Sequence, residues 1–154
     1  MILTVRKPPI GPLWSHQDQR VDTLPVVVDV IEVVANILLG AAFLWAGALK
    51  LVQGPSWSKQ AADMGVSRTV ALAVPYVEVV VGALVVSQLV RPWPAVVALA
   101  LLVAYTVLIV LRLLDGSRPP CACFGSRSMR PLGAYHVLRN LLLIVLAAIA
   151  IVCA

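Results

Sequence analysis

The stretch Val70–Val90 reads VALAVPYVEVVVGALVVSQLV, and it decides the fold class. Before Ser87 it contains a single strongly polar side chain, that of Glu78. A helix at the surface of a soluble protein is apolar on one stripe, whereas this stretch is apolar all round. As a helix it would be roughly 30 Å long, which is about the thickness of the hydrocarbon core of a bilayer. The stretch therefore predicts a transmembrane helix.

Three further apolar stretches of similar length lie at residues 26–52, 95–114 and 132–153. The whole chain of 154 residues is 61% hydrophobic and 12% charged. Soluble domains are about half apolar and about a quarter charged. Because the connections between the stretches are short, we expect neighbouring helices to be antiparallel. The sequence predicts an all-α integral membrane protein, a four-helix bundle over residues 25–154 with antiparallel neighbouring transmembrane helices.

The first 24 residues read as a Pro-rich polar tail of irregular structure. They contain no apolar segment of the kind that a cleaved signal peptide carries. Asp22 and Thr23 are suitable helix caps, and Pro25 suits the first turn of a helix. We therefore expect the first transmembrane helix to begin close to Pro25.

Charge predicts the orientation of the bundle. The net charge is +5, and basic loops on a membrane protein usually serve orientation and contacts with lipid headgroups, so nucleic acid is not an expected partner. Eight of the 12 basic residues lie in or beside the loops 53–69 and 115–131, which predicts that these loops are cytoplasmic. Trp57 and Lys59 read as anchors at the membrane interface. A composition rich in Val, Ala, Pro and Arg is typical of a bacterial source, and so of the inner membrane.

Of all residues in the predicted spans, Glu78 has the position with the highest free-energy cost. A carboxylate deep in a transmembrane helix must be paired, protonated or facing water. Lys50 and Arg139 have long side chains near the same membrane face, and Tyr105 should lie at a similar depth. One interpretation is a carboxylate that binds a ligand or carries a proton. The other is a buried ion pair that fixes the register of the helices.

Pro75 lies one turn before Glu78. A proline has no N–H, so the carbonyl oxygen of Ala71 loses its usual helical donor and is open to another one. This position favours a shaped cavity near Glu78.

Two further groups of residues share a helix face. Small residues on a face let helices approach closely, and polar ones avoid lipid by pointing inward. In the first span the face consists of Asn36, Gly40, Phe43, Gly47 and Lys50, and Gly82 is a matching small residue in the second span. In the last span it consists of His136, Arg139 and Asn140. Internal packing and hydrogen bonding explain both faces.

The loop sequence CACFG, residues 121–125, is the most distinctive local motif. Arg118 and Arg127 lie on either side of its two thiols, and nearby positive charge favours the reactive thiolate. Cys121 and Cys123 are therefore candidates for exchange with a disulfide of a partner. A metal site would add His136 but would still lack a fourth ligand, so no metal or cofactor is predicted. The alternative is that both cysteines are small packing residues.

These features together resemble one family. The glycine face with Lys50, then Pro75 and Glu78, then CACFG before a last span near Arg139 is similar to the methylamine utilisation protein MauE family within the wider DoxX-like group. The resemblance covers about residues 30–154. It implies a four-helix membrane protein that helps to mature a disulfide-rich protein outside the cytoplasm, with a thiol-handling role for Cys121 and Cys123.

Three functions remain open at this stage. The first is a non-enzymatic accessory subunit, whose partners are other membrane proteins of a larger complex, such as a transporter. The second is a membrane thiol-redox relay through Cys121 and Cys123. The third is a small transporter or a quinone-binding bundle around Glu78. Because no complete catalytic constellation is present, the sequence favours a role other than that of an enzyme.

Overall fold

The computed structural model describes residues 15–116 and 133–154, and it describes side chains from residue 25 onward within those ranges. The described residues form five α-helices and no strand. Four helices are long and apolar enough to cross a membrane, and α2 is short. The helices are α1 (Ser15–Gln53), α2 (Pro55–Asp63), α3 (Arg68–Ser87), α4 (Trp93–Leu114) and α5 (Ala134–Val152).

The first helix begins earlier than the sequence predicted. It begins at Ser15, so residues 15–24 are helical rather than irregular, and Pro25 lies inside the helix. The prediction that Asp22 and Thr23 cap it is therefore wrong. Pro25 removes one helical hydrogen bond, but the Gln- and Arg-containing segment before it consists largely of residues that tolerate a helix.

The connections also differ from the prediction. The expected polar loop after α1 contains the helix α2, which follows Gly54 at a positive φ of 52° and starts with a proline in its first turn. The helix α3 ends at Ser87 instead of Val90, because Gln88 and Val90 adopt positive φ angles of 54° and 60°.

Close contact between α1 and α3 depends on glycine. A Cβ atom on Gly47 would lie 2.8 Å from the carbonyl oxygen of Pro75, and one on Gly82 would lie 2.8 Å from that of Gly40. These distances leave no room for any side chain. From Gly40 to Gly47 along α1, the nearest backbone of α3 goes from Gly82 back to Pro75. This contact fixes the depth of α1 residues against α3 residues.

The four long helices form a ring around one core. The helix α1 packs on α3 and α5, while α4 packs on the same two helices from the other side. The short α2 packs on α1 and α3 at the end of the bundle where those two helices are joined. Antiparallel packing of all neighbouring helices stays a prediction. The main core consists of Leu39, Phe43, Val81, Val85, Ala98, Leu102 and Ala147.

Candidate intramembrane binding site

Three helices bring polar side chains together inside the bundle. Lys50, in the last turn of α1, forms an ion pair with Oε1 of Glu78 in α3. Tyr105 of α4 donates a hydrogen bond of 2.8 Å to the same oxygen. Lys50 is only 3% exposed and Glu78 only 1%. We call these three residues the Glu78 cluster.

The second carboxylate oxygen of Glu78 differs from the first. Oε2 is buried and has no hydrogen-bond partner among the described residues, while Oε1 accepts bonds from both Lys50 and Tyr105. A buried polar atom without a partner costs free energy and calls for a specific explanation. The cluster is therefore incomplete as a purely structural arrangement.

Aromatic rings surround the ammonium group of Lys50. Its Nζ atom lies 4.8 Å from the ring centroid of Trp57 and 5.1 Å from that of Tyr105. Both distances allow cation–π attraction, which is stronger where water is excluded. The rings replace part of the hydration that the ammonium group loses on burial.

The indole of Trp57 closes the gap in the hydrogen bonding of α3. Its Nε1–H donates a bond of 2.7 Å to the carbonyl oxygen of Ala71, the acceptor that Pro75 leaves without its helical donor. Trp57 is 7% exposed and packs in the core, so the prediction that it anchors the chain at the interface is wrong. The signal in the sequence was Pro75, since the carbonyl that it frees needs a donor.

A cavity of about 270 Å³ adjoins the Glu78 cluster. All three residues of the cluster line it, together with Arg139 and Asn140 of α5. Its remaining walls are apolar. They come from all five helices and from the turn after α2. These apolar lining residues are Ala42, Phe43, Ala46, Trp57, Met64, Val66, Val70, Val74, Leu102, Ala104, Leu108, Ile109 and Leu143.

The predicted polar face of α5 is split by the structure. Asn140 is buried and its side-chain amide lies 3.4 Å from the hydroxyl of Thr106 in α4, while Arg139 donates to the amide oxygen of Asn140 over 3.3 Å. His136 does not line the cavity, and its ring contacts Tyr135 edge-on at 5.8 Å. Only two of the three residues therefore belong to the site.

The opposite end of the bundle holds a second buried carboxylate, which sequence reasoning missed. Glu32 of α1 forms an ion pair with Arg91, from the turn between α3 and α4. Asn36, one turn along α1, donates to the backbone oxygen of Glu32 at 3.1 Å. The spacing of Glu32, Asn36 and Gly40 on one face was the available signal, because it places Glu32 toward the interior.

The cysteine motif lies outside the described residues, so the structure places neither Cys121 nor Cys123. Within the described ranges, no group of three His, Cys, Asp or Glu side chains is arranged to hold a metal ion. Cys153, at the end of α5, is half-buried and has a free thiol.

Four apolar spans around a buried ion pair and a cavity define a helical integral membrane protein. The chain belongs to the methylamine utilisation protein MauE family, whose family model matches residues 28–153. The matched range includes all residues of the Glu78 cluster and both cysteines of the CACFG motif. Neither the curated proteins nor the solved structures contain a match to this chain.

Proposed function

We propose that this MauE-family protein binds a lipid-soluble small molecule of the quinone class in the cavity beside the Glu78 cluster. The observation that carries the proposal is a fully buried ion pair in the wall of a cavity whose other walls are mostly apolar. Small-molecule sites combine apolar walls with a few placed polar groups. Ionisable residues inside a membrane mark binding sites or ion pathways by default.

The side chains of the cavity suit a flat ring that carries acceptor oxygens. Trp57, Tyr105 and Phe43 offer aromatic walls. Lys50 on one side, and the amide of Asn140 on another, offer N–H donors. A quinone has an apolar planar ring, which would pack against the aromatic walls. Its carbonyl oxygens would accept hydrogen bonds from these donors.

Binding of 2-methyl-1,4-naphthoquinone to the purified protein in lipid nanodiscs tests this proposal. We expect saturable binding to the unaltered protein and an affinity at least tenfold lower in Glu78→Gln, because the substitution removes the charge that holds Lys50 and Tyr105 in place. Glu32→Gln is the matched control, since Glu32 is also buried and paired but does not line the cavity.

Two outcomes would contradict the proposal. One is the absence of saturable binding to the unaltered protein. The other is an equal affinity in Glu78→Gln and Glu32→Gln. Unfolding measurements on both variants identify a variant that has lost its fold. If Glu78→Gln has lost it, Ala46→Phe, which fills the cavity from α1, takes its place. Its control is Ala48→Phe on the exposed face of the same helix.

A second candidate function is the thiol-redox relay, which the family match and the CACFG motif favour. In this function Cys121 and Cys123 are oxidised to a disulfide as a partner's disulfide is reduced to two thiols, so two electrons and two protons pass to the partner. Alkylation of the protein in its native membrane, before and after reduction, tests it. Thiols that are fully alkylated before reduction under all growth conditions would contradict the relay.

The accessory-subunit role also stays a proposal, but its support is narrower. The glycine face of α1 is buried against α3, so it is not available as a surface for a partner. A larger complex in the bacterial inner membrane, with residues 53–69 and 115–131 on the cytoplasmic side, is tested by purification in mild detergent. Elution of the tagged protein alone would contradict this role.

A further inference from the structure

We infer that the bound molecule carries a long hydrocarbon tail, and that this tail leaves the bundle sideways between α3 and α4. The inference rests on the proposed function, because it names the chemical class of the ligand in the same cavity. Two observations carry it: the cavity reaches the outer surface at this place, and its end toward α2 is closed.

The cavity opens on the side of the bundle. Val70 of α3 lines the cavity and is also 50% exposed, and Ala104 of α4 lines the cavity and is also exposed. Val74 and Leu108 line the cavity behind them and are half-buried. Since the two exposed residues belong to different spans that pack against each other, the opening lies between α3 and α4. We call it the side opening.

The end of the cavity toward α2 is held shut by hydrogen bonds. Trp57 of α2 donates to Ala71 of α3 at 2.7 Å. Arg112 of α4 donates two bonds, of 2.8 Å and 3.2 Å, to the backbone oxygen of Met64 directly after α2. These bonds connect α2 and its following turn to both α3 and α4. A ligand is therefore expected to pass through the side opening, which faces lipid, rather than past α2.

The volume of the cavity fits a head group alone. At about 270 Å³ it lies just below the range of small-molecule sites, which runs from about 300 to 1,000 Å³. Both Tyr105 and Ala104 line the cavity, and we place the ring against Tyr105 with its substituent toward Ala104 at the side opening. Outside the opening the substituent lies in the hydrocarbon core of the bilayer. An alkyl or isoprenoid chain there stays out of contact with water.

Two probes with the same ring test the inference. They are 2-methyl-1,4-naphthoquinone and the same naphthoquinone with an isoprenoid tail, each measured in nanodiscs at concentrations expressed per lipid. The variant Ala104→Trp places an indole in the side opening. Its control is Ala100→Trp, one turn earlier on α4, where the residue is exposed but does not line the cavity.

We expect Ala104→Trp to lower the affinity for the tailed probe at least ten times more than the affinity for the tail-less ring. Ala100→Trp should leave the affinities for both probes unchanged. An equal loss for both probes in Ala104→Trp, or no loss for the tailed probe, would overturn the inference while the proposed function stands. Failure of the tail-less ring to bind the unaltered protein would instead overturn the proposed function.

A second variant keeps the test decisive if Ala104→Trp does not fold. Val70→Trp fills the side opening from α3, and Val80→Trp is its control, because Val80 is exposed on the same helix away from the cavity. The same loss of preference for the tailed probe is expected in Val70→Trp. Unchanged preference in this folded variant would overturn the inference.

Discussion

The two ends of the bundle each bury a glutamate against a basic residue, but they do so differently. Glu32 meets Arg91, which is 44% exposed, whereas Glu78 meets Lys50, which is 3% exposed. Removing an ion from water costs several kcal/mol in effect. At the Glu32 end only the carboxylate bears this cost in full, since the guanidinium keeps contact with water or headgroups. At the Glu78 end both ions bear it.

The surroundings explain why the more costly pair is present. A pair that only fixed the helix register would need just one deeply buried ion, which is the arrangement at the Glu32 end. The Glu78 cluster instead adds aromatic rings around the ammonium group and lies beside the cavity of about 270 Å³. The comparison therefore favours a ligand site at the Glu78 end and a structural role at the Glu32 end.

Removing the basic partner should have the largest effect. We expect Lys50→Met to lower the free energy of unfolding by about 3–5 kcal/mol, because it leaves a buried carboxylate without a counter-ion. Arg91→Met should cost clearly less, since the Arg91 side chain is half in solvent and Asn36 remains beside Glu32. Unfolding in detergent by denaturant measures both. Equal losses would show that the two ends do not differ.

Replacing both partners at the Glu78 end sharpens this result. In the double variant Lys50→Met with Glu78→Met, apolar side chains take the place of both ions, and such replacements are often neutral. We expect the double variant to regain most of the stability lost in Lys50→Met while quinone binding stays lost. A double variant that is no more stable than Lys50→Met would instead assign the pair a structural role.

Trp57→Phe should have the next largest effect. The substitution leaves the carbonyl oxygen of Ala71 buried without a donor, which costs about 1–3 kcal/mol. Trp93→Phe is the matched control, because Trp93 is exposed and has no comparable bond among the described residues. The same unfolding measurement separates them, and a loss in Trp93→Phe as large as that in Trp57→Phe would contradict the role of the indole bond.

Tyr105→Phe should have the smallest effect on stability. It removes one hydrogen bond to Oε1 of Glu78, which Lys50 still contacts, and so costs about 0.5–1.5 kcal/mol. Tyr76→Phe on the outer surface of α3 is the control. Because Tyr105 also lines the cavity and its hydroxyl holds Glu78, we expect weaker quinone binding in Tyr105→Phe than in Tyr76→Phe. Unchanged binding in Tyr105→Phe would remove Tyr105 from the site.

Sequence reasoning was most successful where the signal is local. Runs of apolar residues predict the four spans, because each helix must match the bilayer on its own. The cost of a carboxylate at the depth of Glu78 singled out that residue, and depth along the spans indicated Lys50, Arg139 and Tyr105 as its possible neighbours. The choice among them depends on the rotation of each helix, which follows from packing between helices.

The parts that sequence reasoning missed depend on how helices begin and pack. A helix that began near Pro25 would hold Glu32 close to its start and to water, whereas α1 begins at Ser15. The additional turns place Glu32 well inside α1, where Arg91 reaches it. The helix α2 was missed because its few residues carry little apolar signal, and its position depends on Trp57 contacting α3.

The bond between Trp57 and Ala71 has a consequence for how the family varies. Pro75 creates the need for a donor at Ala71, and the indole of Trp57 supplies it. We therefore expect these two positions to be inherited together: relatives with a residue other than proline at position 75 regain the helical donor and are free to lose the tryptophan. A proline at this position of α3 in a relative would then indicate that the tryptophan of α2 packs against the carbonyl one turn earlier.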